Sequence, residues 1–400
     1  ISWYYKSQNF CSVDTAGLRK KSKVHDILEK SMVGDTLKTI KYSNICILLI
    51  DSDKGLDKQD LTIARVVAGE GRGLIIGANM WDKVIDKDQV REKIFNQLSE
   101  SLFSELNNGE NLILSFDGEK SQFIRFNHAK VRQTGLVDDA DLGLKFISNN
   151  RSVHGGFTVS GNFDIDIARG KSEIIRMRLE AQEIPEDPFV VFPKNAGSSH
   201  EIKLANSLPF ENAIDALLPA MSGMDFVGIW ANGNMFRGNA NNLGQKHWFE
   251  TESFSLDYSL VTPEHQMVKG SFAGNDWNQG EYESYVKRSR GKLSLMERKP
   301  VKIDTGKYRT WFESAAVSDF LGMFSWNGIS EASLRQGCSG FGRMRHDDIR
   351  LSPKFSVIED FSPGFCPKFN SNGEVSTEKL SLIENGELNN TLVSSRSAKE

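Results

Sequence analysis

Apolar residues fall into two textures along the chain, and the change comes near residue 103. Before it, short continuous apolar runs alternate with helical spacing. Phe10-Cys-Ser-Val13 reads as the end of a strand, and Val33 to Ile40 as helix. Ile45-Cys-Ile-Leu-Leu-Ile50 and Gly73-Leu-Ile-Ile-Gly-Ala78 are unbroken runs of the kind that fill buried parallel strands. Between them, Leu61 to Ala68 keeps helical spacing and stops at Gly69-Glu-Gly-Arg-Gly73, a helix end followed by a loop. Asp88 to Leu102 predicts an amphipathic helix. Strands alternating with helices imply a parallel sheet with crossover helices.

After residue 103 the spacing turns to short alternating strands: Leu112 to Phe116, Phe123 to Phe126, Gly143 to Ile147 and Phe157 to Ser160. Asn107-Asn-Gly109 and Asp117-Gly118 read as turns between them, which is antiparallel chemistry. Helices are expected at Ile174 to Ala181 and at Glu211 to Met221, the latter closed by Ser222-Gly223. Phe226 to Asn239 and Phe249 to Leu260 form a second antiparallel set rich in Phe, Trp and Tyr.

Composition changes this picture little. Of 400 residues, 39% are apolar and 26% charged, so disorder is excluded and more than one domain is expected. The formal net charge of -4 gives no general pull toward nucleic acid or a membrane. Lys and Arg cluster at Arg19 to Lys23 and Lys287 to Lys292, runs that ordinarily form solvated faces. Four cysteines (Cys11, Cys46, Cys338, Cys366) make no CxxC pair, which fits a reducing, cytoplasmic compartment. No stretch is apolar enough to span a bilayer, and no signal peptide is expected.

Candidate chemistry in the first hundred residues lies at strand ends. Asp14-Thr-Ala-Gly17 follows one strand and Asn79-Met-Trp-Asp82 another, where open α/β sheets bind ligands. Asp14-Thr-Ala-Gly-Leu-Arg-Lys-Lys-Ser-Lys-Val24, with Ile50-Asp-Ser-Asp-Lys-Gly55 and Asn79 to Asp82, resembles the second GTPase domain of the Der (EngA) family. That resemblance implies a magnesium role for Asp14, a γ-phosphate contact at Gly17, guanine recognition by Asp82 and a bracing role for Asn79. The sequence departs from it in two ways. No G-x-x-x-x-G-K-[ST] phosphate cradle is present, and Met80 replaces the Lys that packs over guanine. GTP and Mg are therefore expected only if this remnant works without its cradle. Arg169-Gly-Lys-Ser172 imitates the end of a phosphate loop, but Ile165 stands where its first Gly should be, and a surface turn is expected. Asp51-Ser-Asp-Lys-Gly55 faintly imitates a calcium loop whose closing Glu is instead Thr62.

The rest carries a different signature. Phe126-Asn-His-Ala-Lys-Val-Arg-Gln133, Gly228-Ile-Trp-Ala-Asn-Gly233 and Arg237-Gly-Asn-Ala-Asn-Asn-Leu-Gly-Gln245 come first. Ser271-Phe-Ala-Gly274, Tyr308-Arg-Thr-Trp-Phe312, Leu321-Gly-Met-Phe-Ser-Trp326 and Leu392-Val-Ser-Ser-Arg-Ser-Ala-Lys399 follow in order. Together these resemble the TldD/PmbA family, and its PmbA-like (TldE-like) branch in particular, from about residue 103 to residue 400. The family's active members are zinc peptidases with a His-Glu-x-x-x-His helix, in which two imidazoles hold the metal and the Glu serves as base. The matching stretch here, Ala315 to Gly328, holds neither His nor Glu. The seven histidines (His25, His128, His154, His200, His247, His265, His346) are well separated. His346-Asp-Asp348 is the best local group of ligand types, though a solvated loop beside Arg343, Arg345 and Arg350 is the blander reading. His128, in a strand-like run, is expected to be hydrogen-bonded and half-buried. Asn232 to Asn242 is either a polar substrate-facing loop or a hairpin set by turn chemistry, the latter favoured.

The expected fold class is α+β: an antiparallel-sheet-rich TldD/PmbA-like region preceded by a partial α/β P-loop-GTPase-like segment. Expected divisions are 1-102, 103-190 and 191-400, with the chain opening inside one pattern and stopping short of another, as in a join of two incomplete proteins. The resemblance implies a non-catalytic subunit of a TldD-type cytoplasmic zinc peptidase that processes small or unfolded peptides. Its partners would be a TldD-like metallopeptidase subunit, which carries the zinc, and a peptide substrate. No cofactor, membrane or nucleic acid is expected for this chain itself. The alternatives are a metallopeptidase in its own right and a Der-like GTPase fragment.

Overall fold

A crossover helix between two apolar runs dictates parallel pairing, and the computed structural model shows it. Residues 2–5, 8–11, 13, 38–51, 58–79, 90–194, 197–325 and 327–399 are described. The chain divides into two compact units, Ile1–Ile94 with Ser160–Ile165, and Phe95–Val159 with Asp166–Glu400. In the first, β1 (Ser2–Tyr5) pairs antiparallel with β2 (Gln8–Cys11). Then β3 (Ile45–Asp51), α1 (Lys58–Gly69) and β4 (Gly73–Asn79) form a β-α-β unit, in register from Ile45 opposite Gly73 to Asp51 opposite Asn79. The loop after α1 turns through Gly71, whose φ of +67 favours glycine.

These strands are parallel as expected but not buried on both faces. Ile45, Ile47 and Leu49 are 57, 65 and 65% exposed. Alternate residues of a strand share a face, so the three lie together with Ile75, the partner of Ile47. An unbroken apolar run reports two apolar faces, and only packing decides whether both are covered.

The second unit begins in α2 (Val90–Phe103), whose Phe95, Leu98 and Leu102 are buried at helical spacing. A seven-stranded sheet follows, in the order β11-β10-β9-β5-β6-β7, with β8 also on β10. Its members are β5 (Asn111–Asn127), β6 (Lys130–Ser148), β7 (Arg151–Thr158), β8 (Ser198–Lys203), β9 (Asp225–Asn241), β10 (Lys246–Val261) and β11 (Met267–Gly274). All pairings are antiparallel except β8 on β10. β8 and β11 share one edge of β10: β8 pairs with Lys246 to Thr251, and β11 with Phe254 to Val261. The sheet takes strands from both sides of residue 190, where a domain division was expected.

Asp117-Gly118, expected as a turn, lies inside β5. Both neighbours hydrogen-bond the strand there, with Ala140 and Phe236 opposite Gly118, and Arg237 Nε meets Asp117 Oδ1 at 3.0 Å. Two short strands expected from the sequence are thus one long one. Arg169 to Ser172 is likewise no surface turn. It lies within α3 (Phe163–Glu183), a helix longer than the expected Ile174 to Ala181. Gly170 is buried in it, where an added Cβ would stand 2.6 Å from Leu102 Cδ2. Glycine here serves close helix packing.

One face of the sheet packs on α4 (Ala213–Met221) and α5 (Gln279–Met296), with Trp230, Phe226, Leu256, Leu217 and Tyr282 fully buried among them. Asn278 caps α5 by accepting from Glu281 N at 3.1 Å. A smaller core of Ile329, Leu334, Phe341, Leu382 and Ile383 organises the remainder. Around it lie α6 (Ser314–Ser325), α7 (Glu331–Arg335), α8 (Gly342–His346), β12 (Val357–Asp360), β13 (Lys379–Glu384), β14 (Glu387–Leu388) and α9 (Ser395–Lys399). No described helix is long and apolar enough to cross a membrane.

Candidate functional site

Helix α6 spans most of the stretch where the family resemblance would place metal ligands. Ser314-Ala-Ala-Val-Ser-Asp-Phe-Leu-Gly-Met-Phe-Ser325 offers one ionisable ligand type, Asp319, and none of its residues is buried. A zinc helix needs two imidazoles one turn apart, and this one has no imidazole. Among the described residues no group of three or more His, Cys, Asp or Glu is placed to hold a metal. The described residues of this stretch do not fit a zinc ion.

The His346-Asp-Asp348 group is committed elsewhere. It sits at the end of α8, where Asp347 faces Arg343 at 3.5 Å, Asp348 faces Arg350 at 3.4 Å, and Arg350 also pairs with Glu387. The arginines that flank it in sequence therefore neutralise it in space.

His128 is not in a strand. It and Ala129 form the two-residue turn between β5 and β6, with φ of +51 and +52, a left-handed pair in which Asn-Gly is the usual choice. The ring is exposed rather than half-buried, and Nδ1 lies 2.8 Å from Asp225 Oδ1. Ala129 N donates to Phe226 O at 3.0 Å, which fastens the turn to β9. An open cleft beside it is lined by Lys130, Leu218, Pro219, Ser222 and Met224.

His247 is a second candidate base. It is 1% exposed, stacked on Phe369 at 5.1 Å, and its Nδ1 meets Ser199 Oγ at 2.8 Å across the β8–β10 pair. Burial pushes its pKa down, so it stays neutral. Among the described residues nothing orients the far side of the ring, because Nε2 has no hydrogen-bond partner there. A serine activated for attack needs its base held by a third group, so this pair is structural.

The amide-rich stretch is a hairpin, not a substrate loop. Asn232, Asn239 and Asn241 are almost fully buried. Gln245 Nε2 donates to Asn239 Oδ1 at 2.8 Å, Asn239 Nδ2 to Ser371 O at 2.8 Å, and Asn232 Nδ2 to Leu208 O at 2.5 Å. Asn241 Oδ1 accepts from the backbone of Leu243 and Gln245 and so shapes the β9–β10 turn.

Of the nucleotide-remnant residues, Asp14, Gly17 and Asp82 lie outside the described residues. Asn79 ends β4 opposite Asp51, at the carboxyl end of the parallel pair. The four cysteines are free thiols.

Two polar clusters were missed from sequence. In the first, Glu331 accepts from Arg335 Nε at 2.9 Å, Arg345 Nη2 at 2.7 Å and Thr391 Oγ1 at 2.6 Å. The bonds from Arg345, Thr391 and Arg335 hold its pKa down at about 2. The Glu331–Arg335 spacing of four was a readable signal, whereas Arg345 and Thr391 arrive only through the fold. In the second, Lys145 Nζ donates to Asn372 Oδ1 at 2.9 Å, and burial lowers its pKa while Glu374 opposes that. The Leu392 to Lys399 signature is a fastener beside it. Arg396 pairs with Asp187 at 2.5 Å, Lys399 Nζ donates to Val190 O at 2.8 Å, and Ser395 N donates to Glu374 Oε1 at 3.2 Å.

The fold has solved counterparts. A Bacteroides thetaiotaomicron protein described as a candidate modulator of DNA gyrase superposes with a TM-score of 0.60 at 14% identity, over 78% of this chain and 74% of its own. A Thermotoga maritima protein of like description gives 0.59 at 16% identity, over 76% and 72%. TldE from Thermococcus kodakarensis gives 0.55 at 15%, over 76% and 71%. At these identities the likeness defines a shared fold. In sequence, residues 305–400 match the PmbA/TldA metallopeptidase C-terminal domain. The shared fold bears out the α+β class read from the sequence, and the family match covers residues 305–400.

The other resemblance also holds, as a partial one. GTPase Der of Rickettsia akari (strain Hartford) is 42% identical over 104 residues, 26% of this chain and 23% of that protein. GTPase Der of Rickettsia canadensis (strain McKiel) is 41% identical over the same length. The chain thus spans about a quarter of the curated relatives it matches, 23% of their length.

Proposed function

We propose that this chain is a metal-free, PmbA/TldE-like subunit that works beside a TldD-like zinc peptidase subunit and helps form the chamber in which peptides are cut. One observation carries the reading. Helix α6 occupies the stretch expected to hold the metal ligands, yet it has no His or Glu and buries none of its residues. The fold shared with TldE supports the choice of branch. A peptide substrate is expected to lie extended, where a sheet edge can hydrogen-bond its backbone. β7 ends the strand order, and no described strand pairs with its outer edge.

The test is co-purification with the TldD-like subunit encoded in the same genome, with zinc counted in each chain and peptide cleavage measured for each alone and for both. The expected outcome is zinc in the partner only, and cleavage that needs both chains or rises at least tenfold with both. Stoichiometric zinc and cleavage by this chain alone would overturn the reading in favour of a self-sufficient peptidase.

A further inference from the structure

Near its tip the β5–β6 hairpin breaks the alternation of its strands. The ladder pairs Arg125 with Gln133 and Phe126 with Val131, which leaves Arg132 with no residue opposite it. Arg132, Gln133 and Thr134 are exposed in succession. A bulge of this kind re-aims a side chain at the cost of ladder hydrogen bonds, and bulges are frequent beside functional sites. Here Arg132 lines a cleft of about 580 Å³ together with Arg125, Asn127, Gln133, Phe126 and Val227.

The charges of this cleft are unmet. Elsewhere in the same unit Arg178 is held by Glu110, Arg237 by Asp117 and Arg345 by Glu331. Arg125 and Arg132 form no ion pair with any described residue. Asp225, close by in β9, is taken by His128. Asp257 stands in the same cross-strand row as Arg125, but with Ile229 between them, so two strand spacings, roughly 10 Å, separate the two positions. A guanidinium offers donors in a planar fork and accepts nothing, and the side-chain amides of Asn127 and Gln133 can add further donors. Two cations facing one space repel each other, and an anion held between them removes that cost.

The cleft is also set in advance. Ala129 N donates to Phe226 O at 3.0 Å, Phe126 packs edge-on against Phe226 at 6.1 Å, and Val131 packs on the large core. A site held in shape loses little entropy when it binds.

We propose that this cleft binds the carboxylate of an extended peptide in the forks of Arg125 and Arg132. That the ligand is a peptide rests on the reading under Proposed function, whereas the carboxylate rests on the cleft itself. Arginine meets a carboxylate with two parallel hydrogen bonds. Val227 and Ile229, 37 and 47% exposed, give the organic chain behind the anion an apolar surface to lie on. A nucleic acid fits less well, because its bases need exposed rings to stack on. Of the lining residues only Phe126 is aromatic, and it is fully buried.

The experiment measures binding to the full chain alone, so its result is separate from the co-purification that tests the functional reading. The probes are a hexapeptide of alanine and valine with a free C-terminal carboxylate, its C-terminal amide, the same amide carrying one internal glutamate, inorganic phosphate, and a single-stranded oligonucleotide. At least one of the two carboxylate peptides is expected to bind at least about tenfold more tightly than the neutral amide, as charge-assisted hydrogen bonds require. Whichever binds more tightly identifies the carboxylate as terminal or side-chain. Arg125→Gln and Arg132→Gln should each erase that preference, while Lys299→Gln, at an exposed cation outside the cleft, keeps it. Unchanged thermal unfolding shows that the variants fold. Amide exchange around the hairpin should slow with the carboxylate peptide and not with the neutral amide. Equal binding of acid and amide, no peptide binding, or a preference that survives both arginine variants would overturn the proposal. Tighter binding of phosphate or of the oligonucleotide than of either carboxylate peptide would overturn it as well, and would reassign the cleft to that ligand.

Discussion

Glu331 shows what a single buried carboxylate does for this fold. Three donors from α7, α8 and the segment before α9 converge on it, so segments far apart in sequence share one anion. Hydrogen bonds to a charged group contribute more than neutral ones. Glu331→Gln is expected to lower stability in urea by about 2–3 kcal/mol at pH 7. The pH dependence follows from the depressed pKa. The stabilisation is complete above the ordinary value of 4.5 and is lost as pH falls toward about 2. A wild-type acid transition in that window, shallower in the variant, is the outcome to look for; parallel curves would show that the carboxylate is not charged in the folded chain. His247 acts in a higher window. Its folded pKa lies below the ordinary 6.5, so its contribution is full above 6.5 and falls as the ring is forced to charge. His247→Gln should flatten the loss of stability between pH 7 and 5, with His154, lowered by burial and by Lys145, leaving a residual slope. Sequence reasoning found the histidines and could not rank them. The difference between the exposed His128 and the buried His247 lies in which strands pair.

At the scale of elements, the sequence marked strands and helices well and their lengths poorly. Asp117-Gly118 carries a turn signature, but β6 and β9 flank it on both sides, and ladder hydrogen bonds outweigh a local preference. Arg169 to Ser172 reads as a surface turn from its polar, strand-like context. Yet α3 runs through it, with Gly170 as the point of closest approach to α2. This yields a test with opposing terms. In an exposed helix Gly→Ala gains up to about 1 kcal/mol. Here the new methyl meets Leu102, itself fully buried, so overpacking should dominate and Gly170→Ala should destabilise by about 1–3 kcal/mol. Leu102→Ala alone leaves a cavity. The double variant should be more stable than the two single costs added, by at least about 1 kcal/mol. Simple additivity in urea titrations would show that the two side chains do not share that space. The absence of His and Glu from α6, by contrast, is a property of the sequence itself, since folding cannot supply a missing imidazole.

At the scale of the whole molecule the two units are unequally supported. The larger one buries Trp230, Phe226, Phe236, Leu217 and Tyr282 between a wide sheet and its helices. In the smaller one, the described parallel pair leaves Ile45, Ile47, Leu49 and Ile75 each more than half exposed. Apolar side chains left in water contribute little of the roughly 25 cal/mol per Å² that burial supplies. Cooperative units with few buried contacts open at lower free energy than the global transition. Amides of β3 and β4 are therefore expected to exchange at least about 100-fold faster than those of β5, β9 and β10, a gap of roughly 3 kcal/mol in opening free energy. The same measurement decides whether the Der-like segment holds nucleotide. A ligand that binds only the folded form slows opening in proportion to its occupancy. The sequence offers no G-x-x-x-x-G-K-[ST] cradle, and Met80 stands where the guanine-packing Lys is expected. Adding GDP and Mg at about 1 mM should then leave exchange in β3 and β4 unchanged, because a micromolar site would slow it by well over a hundredfold. Slowing confined to residues 45–51 and 73–79 would mean that Asp14, Asn79 and Asp82 still assemble a working site. In that case the smaller unit would be a functional GTP-binding element.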